Sequence, residues 1–440
     1  MRRWINSLLF ATSAISLFPA APAQTPAAVA RNPFAGDVPR KPKPAFPGQT
    51  DAPPPSKPSP EINVQVITAR LTSPWSVAIL PDGNFLVTES IGFMRIVRPD
   101  GVVSAPLAGV PGVKVVAAQG LHDVALDPEF AQNRLLYFCY FAPPPGEEPA
   151  IWPTEFFYQR VWTKSLAERR TLKIGTERVA RARLSKDNRS LEDVQVLAEG
   201  AERRIVLAPD GTLLVTGADR FRLYDSKYDG VEHDFTDNPD IGRNFSGRVL
   251  RINRDGSIPK DNPWLGRATV LPETFAHGLR DPEGAAINPA TGELWVTDHG
   301  PQGGDEIDII RAGKNYGWPD VSYGVQYDFQ RTDGRKNVPV GNGRTSMPGV
   351  EEPAYFWLPD IAPSGMLFYT GDRFPQWKGN LFVGALEGQA LVRLILNGDR
   401  IVAEERLLTD RKMRVRDIRQ GPDGSIYLLS SAGLLHLTPK

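Results

Sequence analysis

Six times along this 440-residue chain a short apolar segment runs into a polar turn and then into a second segment rich in β-branched and aromatic residues. The copies are Trp75 to Glu89, His122 to Tyr140, Arg204 to Thr216, Glu283 to Thr297, Ser364 to Gly384 and Arg416 to Leu429. Five carry a proline in the turn (Pro81, Pro128, Pro209, Pro289, Pro422), whose fixed φ pre-sets the reversal; the Ser364 copy uses Thr370-Gly371-Asp372 instead. Further strand-like runs follow the copies, and Arg181-Ala182-Arg183-Leu184 alternates with period two, as a half-exposed antiparallel strand requires. Helical periodicity is scarce, and its best stretch, around Trp162 to Arg170, lies inside a long insertion.

A recurring β-unit of this kind implies an array in which each sheet buries its faces against its neighbours. Between Ile62 and Lys440 the six copies give roughly 63 residues per unit, long for one blade but compatible with extended loops on one face. The expected fold is all-β, a six-bladed β-propeller of four-stranded antiparallel blades. A pair of β-sandwiches, or a seventh degenerate copy between Pro128 and Pro209, are the alternatives. The carboxyl-terminal strand from Gly433 is expected to complete the first blade by pairing near Val64 to Thr68. Innermost strands of a propeller face a central channel, and counting six residues back from each turn proline gives Trp75, His122, Arg203, Glu283 and Arg416. So polar a set at a core phase is either a ring of satisfied ion pairs or a polar site at one mouth of the channel.

The ends and the composition set the context. Arg2 and Arg3, the apolar run from Trp4 to Phe18 and Ala21-Pro22-Ala23 read as a secretory signal over residues 1–23, with a single membrane anchor as the alternative. Residues 24–61 are Pro-rich without an apolar face and are expected to be a disordered tether, leaving 62–440 as the propeller domain. The protein is then periplasmic or secreted, with no membrane span once the signal is removed. With 51 basic and 51 acidic residues the chain points to neither a nucleic-acid partner nor a strong acidic field. A single cysteine, Cys139, excludes an internal disulfide and sits in an apolar strand where a buried thiol is expected.

The stretch from Ala276 to Pro319, with Asp298-His299-Gly300-Pro301, Gly304-Asp305-Glu306 and Lys314-Asn315-Tyr316-Gly317-Trp318-Pro319, closely resembles the glucose/sorbosone dehydrogenase family. Gln119-Gly120-Leu121, Gly247 to Arg251, Ser364-Gly365-Met366 and Arg414-Val415-Arg416-Asp417 extend the resemblance over most of Trp75 to Leu437. It implies a soluble periplasmic six-bladed propeller that oxidises an aldose, or a related small alcohol or aldehyde, with pyrroloquinoline quinone (PQQ) and Ca²⁺, passing electrons to a downstream acceptor. PQQ carries three carboxylates, which arginine forks pair well, and a quinone that a hard oxygen-bound cation polarises. By resemblance the cofactor-binding residues are Gln119, Arg280, Asp281, Arg414 and Arg416, and the calcium carbonyls belong to Gly300 and Pro301.

Several positions depart from the family's pattern. Gly200 stands where the family has its catalytic histidine; Asp281 and Glu283 replace the amides of Arg-Asn-Pro-Gln; Glu387 replaces a lysine. Carboxylates added beside a tricarboxylate in a water-poor site cost on the order of a kcal/mol each. A second class of function therefore stands beside the first: a hydrolase, lyase or epimerase working through carboxylates and a divalent cation held by Asp281, Glu283 and Glu387, with Glu202 as a further candidate ligand, or a ligand-binding propeller. Candidate bases are His122 and His299, or Glu283 and Glu387 if burial raises their pKa, each weighed against ordinary packing. The Asp- and Asn-rich segment Ala218 to Phe245 is a solvated loop or a second calcium site. The insertion Pro143 to Arg178, with Trp152, Phe156, Phe157, Tyr158 and Trp162, is a cap over the ligand or simple packing.

Overall fold

Each of the six repeats forms the first two strands of one antiparallel sheet. The computed structural model describes residues 42–116, 120–149, 151–152, 175–219, 247–326 and 337–440. The chain divides into Met1–Pro33 and Phe34–Lys440, and the first unit, with the predicted signal, lies outside the described residues. So do Gln119, the aromatics of the expected cap from Phe156 to Trp162, and most of the Asp- and Asn-rich loop.

Blade 1 comprises Pro74–Ile79, Phe85–Glu89 and Phe93–Val97; blade 2, Leu121–Leu126, Leu135–Ala142, Thr176–Leu184 and Leu191–Glu199. Blade 3 is Ile205–Leu207, Leu213–Gly217, Arg248–Ile252 and Thr274–His277; blade 4, Pro282–Ile287, Leu294–Asp298, Asp305–Ile310 and Tyr355–Trp357. Blade 5 is Pro363–Phe368, Leu381–Ala385, Ala390–Asn397 and Arg400–Leu407. Blade 6 is Val415–Gln420, Ile426–Ser430 and Gly433–Pro439, with Ile62–Thr68 as its outermost strand. The first strands touch in cyclic order from blade 1 round to blade 6 and back, which closes a six-bladed propeller. Among the described residues the gap between Pro128 and Pro209 holds no seventh blade: the nine-residue third and fourth strands of blade 2 fill part of it.

Closure occurs on the last blade and not, as expected, on the first. Val64 lies against Leu437 and Val66 against Leu435, so the pairing is as anticipated, but the amino-terminal strand completes the last blade. Joining the two ends of the chain in one sheet means the ring cannot open without breaking that ladder. Second strands are buried throughout, as in Phe85–Glu89 and Leu381–Ala385, because neighbouring blades cover both faces. Outer strands alternate or face water, as Leu191–Glu199 does. Between blades 4 and 5 Trp295 meets Phe368 edge-on at 5.5 Å between ring centroids.

At the axis the first strands approach closely enough to require glycine. A Cβ on Gly284 would lie 2.1 Å from the Ser364 carbonyl oxygen, and one on Gly365 would lie 2.7 Å from the Asp417 Cα. The later part of the expected tether is instead laid against the propeller. Gln49 is fully buried and its amide donates to the Pro353 carbonyl; the Ala52 amide donates to the Tyr355 hydroxyl; Ser59 Oγ binds Glu405 at 2.6 Å and receives Trp377 Nε1 at 2.9 Å. Low apolar content concealed this, since the segment is held by polar contacts. Cys139 is buried as expected, its thiol pushed up by burial and directed at the Arg203 carbonyl.

Candidate active site

The channel phase read from the turn prolines brings its residues together. Trp75 stacks on His122 with centroids 4.8 Å apart, the Arg204 and Arg416 guanidiniums lie 4.2 and 5.7 Å from the Trp75 ring, and Arg416 is ion-paired with Glu283. Arg203 reaches Asp281 at 2.8 Å, Glu283 at 3.2 Å and its neighbour Glu202 at 3.4 Å. Arg414 pairs with Glu387 at 3.4 Å. Water reaches one edge of this cluster: the side chains of Asp281, Glu387, Arg414 and Arg416 are 26%, 23%, 38% and 23% exposed, whereas Arg203 and Glu283 are each 5% exposed.

One residue farther along the same strands is a second network. Asp123 accepts from Ser76 Oγ at 2.5 Å, Arg419 Nη2 at 3.0 Å and the Ile205 amide at 2.9 Å. Asp417 accepts from Arg204 Nη1 at 2.9 Å and from the Val77 amide at 3.1 Å. Arg204 also donates to the carbonyls of Glu283 and Arg416, so one guanidinium ties blade 3 to blades 4 and 6.

Two buried acids set the loops of blade 4. Asp298, at the end of the second strand, accepts the backbone N–H groups of Arg280 and Asp281 at 2.7 and 2.5 Å and so fixes the turn that presents both side chains. Asp305 accepts from Gly300, Ile361 and Ala362, which joins the Gly300 loop to the start of blade 5. Burial pushes Asp298 up to about 7, and burial together with the nearby Asp360 raises Asp305 well above the usual range.

The two histidines differ. His122 has no exposed surface; its Nδ1 lies 2.6 Å from the Glu202 carbonyl, which can only accept, so Nδ1 carries the hydrogen. It holds Trp75 against the third blade and is not a group a ligand touches in this conformation. His299 is half-buried, and its Nε2 donates to the Pro363 carbonyl at 2.6 Å, leaving the lone pair on Nδ1 of the neutral ring. Burial lowers its pKa against the pull of Glu283 and Asp281.

Glu283 does not meet the expectation of a base with a raised pKa. Burial alone would push its carboxyl up, but Arg203 and Arg416, with His299 and His122 behind them, hold it well below the usual range. Nor do Asp281, Glu283 and Glu387 form a cation site, because Arg203, Arg416 and Arg414 take their charges. A cluster outside the calcium residues that the resemblance implied offers better ligands: single oxygens of Asp298, Glu306 and Asp308 lie within 4.8 Å of one another, and neither Asp308 oxygen has a hydrogen-bond partner. Three oxygen donors of this kind suit a hard divalent cation. The visible signal was an acid at an inward position of the apolar strand Asp305–Ile310.

The residues present do not fit PQQ. Arg280 Nη1 donates to the carbonyls of His299 and Gly300 at 2.7 and 2.9 Å, so a guanidinium already sits at the carbonyl expected to bind calcium. Arg203, Arg414 and Arg416 each face an acid of this chain, and four carboxylates (Glu202, Asp281, Glu283, Glu387) balance four guanidiniums. A tricarboxylate would enter without net counter-charge. Gly200 adopts φ +93°, a conformation a histidine resists, so the family's base is absent in backbone as well as in side chain.

Comparison with known proteins agrees with this geometry at the level of the fold. Residues 71–436 match the family described as Glucose / Sorbosone dehydrogenase. Aldose sugar dehydrogenase YliI of Escherichia coli (strain K12) is 34% identical over 393 residues, covering 86% of this chain and 93% of that protein. The apo-form crystal structure of the soluble aldose sugar dehydrogenase from Escherichia coli superposes with a TM-score of 0.71 at 31% identity, covering 86% of this chain and 100% of that one. A PQQ-bound aldose sugar dehydrogenase from Streptomyces coelicolor shares the fold, with a TM-score of 0.60 at 21% identity over 87% of this chain and 99% of that one.

Proposed function

The chain belongs to the glucose/sorbosone dehydrogenase family, and from that premise we propose that its channel mouth binds a sugar-class small molecule and performs proton-transfer chemistry on it, as an epimerase or lyase does, without PQQ. The observation that carries this reading is the pairing of the mouth's arginines by the chain's own acids, with Arg203 set between Asp281 and Glu283. Sugar-class ligands follow from the relatives, which are aldose sugar dehydrogenases. His299 is the base: its ring is oriented by the Pro363 carbonyl and its Nδ1 accepts the proton from the ligand. Arg414 and Arg416 face the negative charge that develops as the proton leaves. We expect this chemistry in the periplasm or outside the cell, a reading that rests on the secretory signal expected from the first residues; no helix among the described residues is long and apolar enough to cross a membrane. A divalent cation, if held, belongs at Asp298, Glu306 and Asp308 and not at Gly300 and Pro301.

A second reading is favoured by the retention of Arg280, Arg414 and Arg416: oxidation of an aldose with PQQ and Ca²⁺. The test is to incubate the purified full chain with PQQ and Ca²⁺, desalt it, and follow quinone absorbance and dye reduction over an aldose panel while saturation-transfer NMR monitors sugar contact. The expected result is sugar contact with no retained quinone and no dye reduction. Retained quinone with aldose-dependent dye reduction would establish the second reading instead. Calorimetry with Ca²⁺ on the same sample should show binding that Asp308→Asn abolishes.

A further inference from the structure

The four mouth arginines are not equally engaged. Arg203 is enclosed by Glu202, Asp281 and Glu283, and Arg280 turns Nη1 to two backbone carbonyls. Arg414 and Arg416 each reach a single carboxylate, and each does so through Nη1 alone. Among the described residues, no acceptor meets Nε or Nη2 of either side chain, and both are the arginines that water reaches. They lie two residues apart at the start of the first strand of blade 6. The same mouth carries Asp281 and Glu387, partly exposed carboxylates that can accept hydroxyl hydrogens but not pair with an anion.

We propose that the mouth takes a sugar acid, a polyol bearing one carboxylate, with Arg414 and Arg416 clamping that carboxylate while Asp281 and Glu387 receive hydroxyls. This rests on the sugar-class reading above and names its substrate class. Planar guanidinium forks with free N–H edges match a carboxylate in geometry and charge, and such charge-assisted pairs are about twice as strong as neutral ones. Arg416 shares Glu283 with Arg203 and also feels the Arg204 and Arg414 guanidiniums, so a single carboxylate can replace water on its exposed edge although the mouth as a whole is charge-balanced. A tricarboxylate finds one clamp, not three. A neutral aldose leaves the clamp unused. The assignment also suits the chemistry, because a carboxylate neutralised by two guanidiniums makes the C–H next to it acidic enough to lose its proton, and the same two arginines would hold the ene-diolate charge that removal creates.

The test is calorimetric titration of the purified full chain with D-glucuronate, D-gluconate and D-glucose at low and high salt. Both acids should bind at least about tenfold more tightly than glucose in roughly 50 mM salt, and the gap should narrow as salt screens the clamp. Arg414→Gln, at a half-exposed position, should lower glucuronate affinity about tenfold, a much larger loss than glucose affinity shows. Arg416→Lys keeps the charge at the more buried position and should weaken the acids by losing the fork; thermal unfolding of both variants checks that they fold. If glucose binds as tightly as the acids, or if Arg414→Gln weakens all three sugars alike, the carboxylate clamp is wrong and the sugar site stands. If none of the three binds, both the clamp and the sugar-class reading fall.

Discussion

Two networks of arginine and carboxylate lie one residue apart on the first strands of the propeller, and only one of them has carboxylates that water reaches. In the inner network Asp123, Asp417 and Arg204 are almost fully buried, and both carboxylates accept several hydrogen bonds that cross between blades. In the outer network Glu283 and Arg203 are buried, but Asp281, Glu387, Arg414 and Arg416 keep an exposed edge, and the last two keep unused donors. The same residue chemistry thus acts as a tie in one layer and as a site in the next. The difference lies in desolvation: a buried charge must be matched by its own chain, while a part-exposed one can exchange its partner for a ligand.

The strongest way to break the comparison is to cut the tie. Asp417→Asn leaves the buried Arg204 to share Asp123 with the part-exposed Arg419, and removing one partner of a buried ion pair costs about 3–5 kcal/mol. Urea unfolding should register a loss of that size. A change below about 1 kcal/mol would mean that the inner network is not what joins the blades.

Glu283 sits on the boundary and should show an intermediate effect. Glu283→Gln removes the charge shared by Arg203 and Arg416 and should cost about 1.5–3 kcal/mol at neutral pH, the range for hydrogen bonds to charged groups. Because the folded protein holds this carboxyl below its ordinary value of 4.5, its contribution is present above that pH and fades as pH falls below it. The gap between wild type and variant should therefore be widest near neutrality and narrow in acid. A gap that widens on acidification would contradict the pairing.

Much of this was legible in the chain. Turn prolines at a constant distance from Trp75, His122, Arg203, Glu283 and Arg416 gave the register of the axis, because a propeller repeats one sheet and the phase carries from blade to blade. The role of Arg203 was harder to read. Periodicity placed it at the axis, but whether Asp281 and Glu283 repel a cofactor or neutralise a neighbouring cation depends on a contact across roughly 80 residues of sequence, which no local pattern encodes. Asp298 and Asp305 read as family motif residues, while their work of fixing the Arg280 turn and the Gly300 loop lies in backbone hydrogen bonds. The docking of residues 45–59 was invisible for a similar reason, since it depends on Gln49 and Ser59 finding single partners on blades 4 and 5 and not on an apolar stripe.

The smallest expected effect is the most discriminating. Glu387 and Arg414 are 3.4 Å apart and both part-exposed, and an ion pair of that kind contributes between nothing and about 1 kcal/mol. Glu387→Gln should therefore change unfolding stability by less than about 0.5 kcal/mol. It should nevertheless alter the site, because the amide no longer competes for Arg414: glucuronate should bind about threefold more tightly, an effect that vanishes at high salt as a Coulombic one must. If Glu387→Gln instead destabilises the fold as much as Glu283→Gln, the outer layer is a second tie and the contrast between the two networks fails. If stability holds and glucuronate binding is unchanged, the clamp does not include Arg414, and the exposed edge of the mouth has some other use.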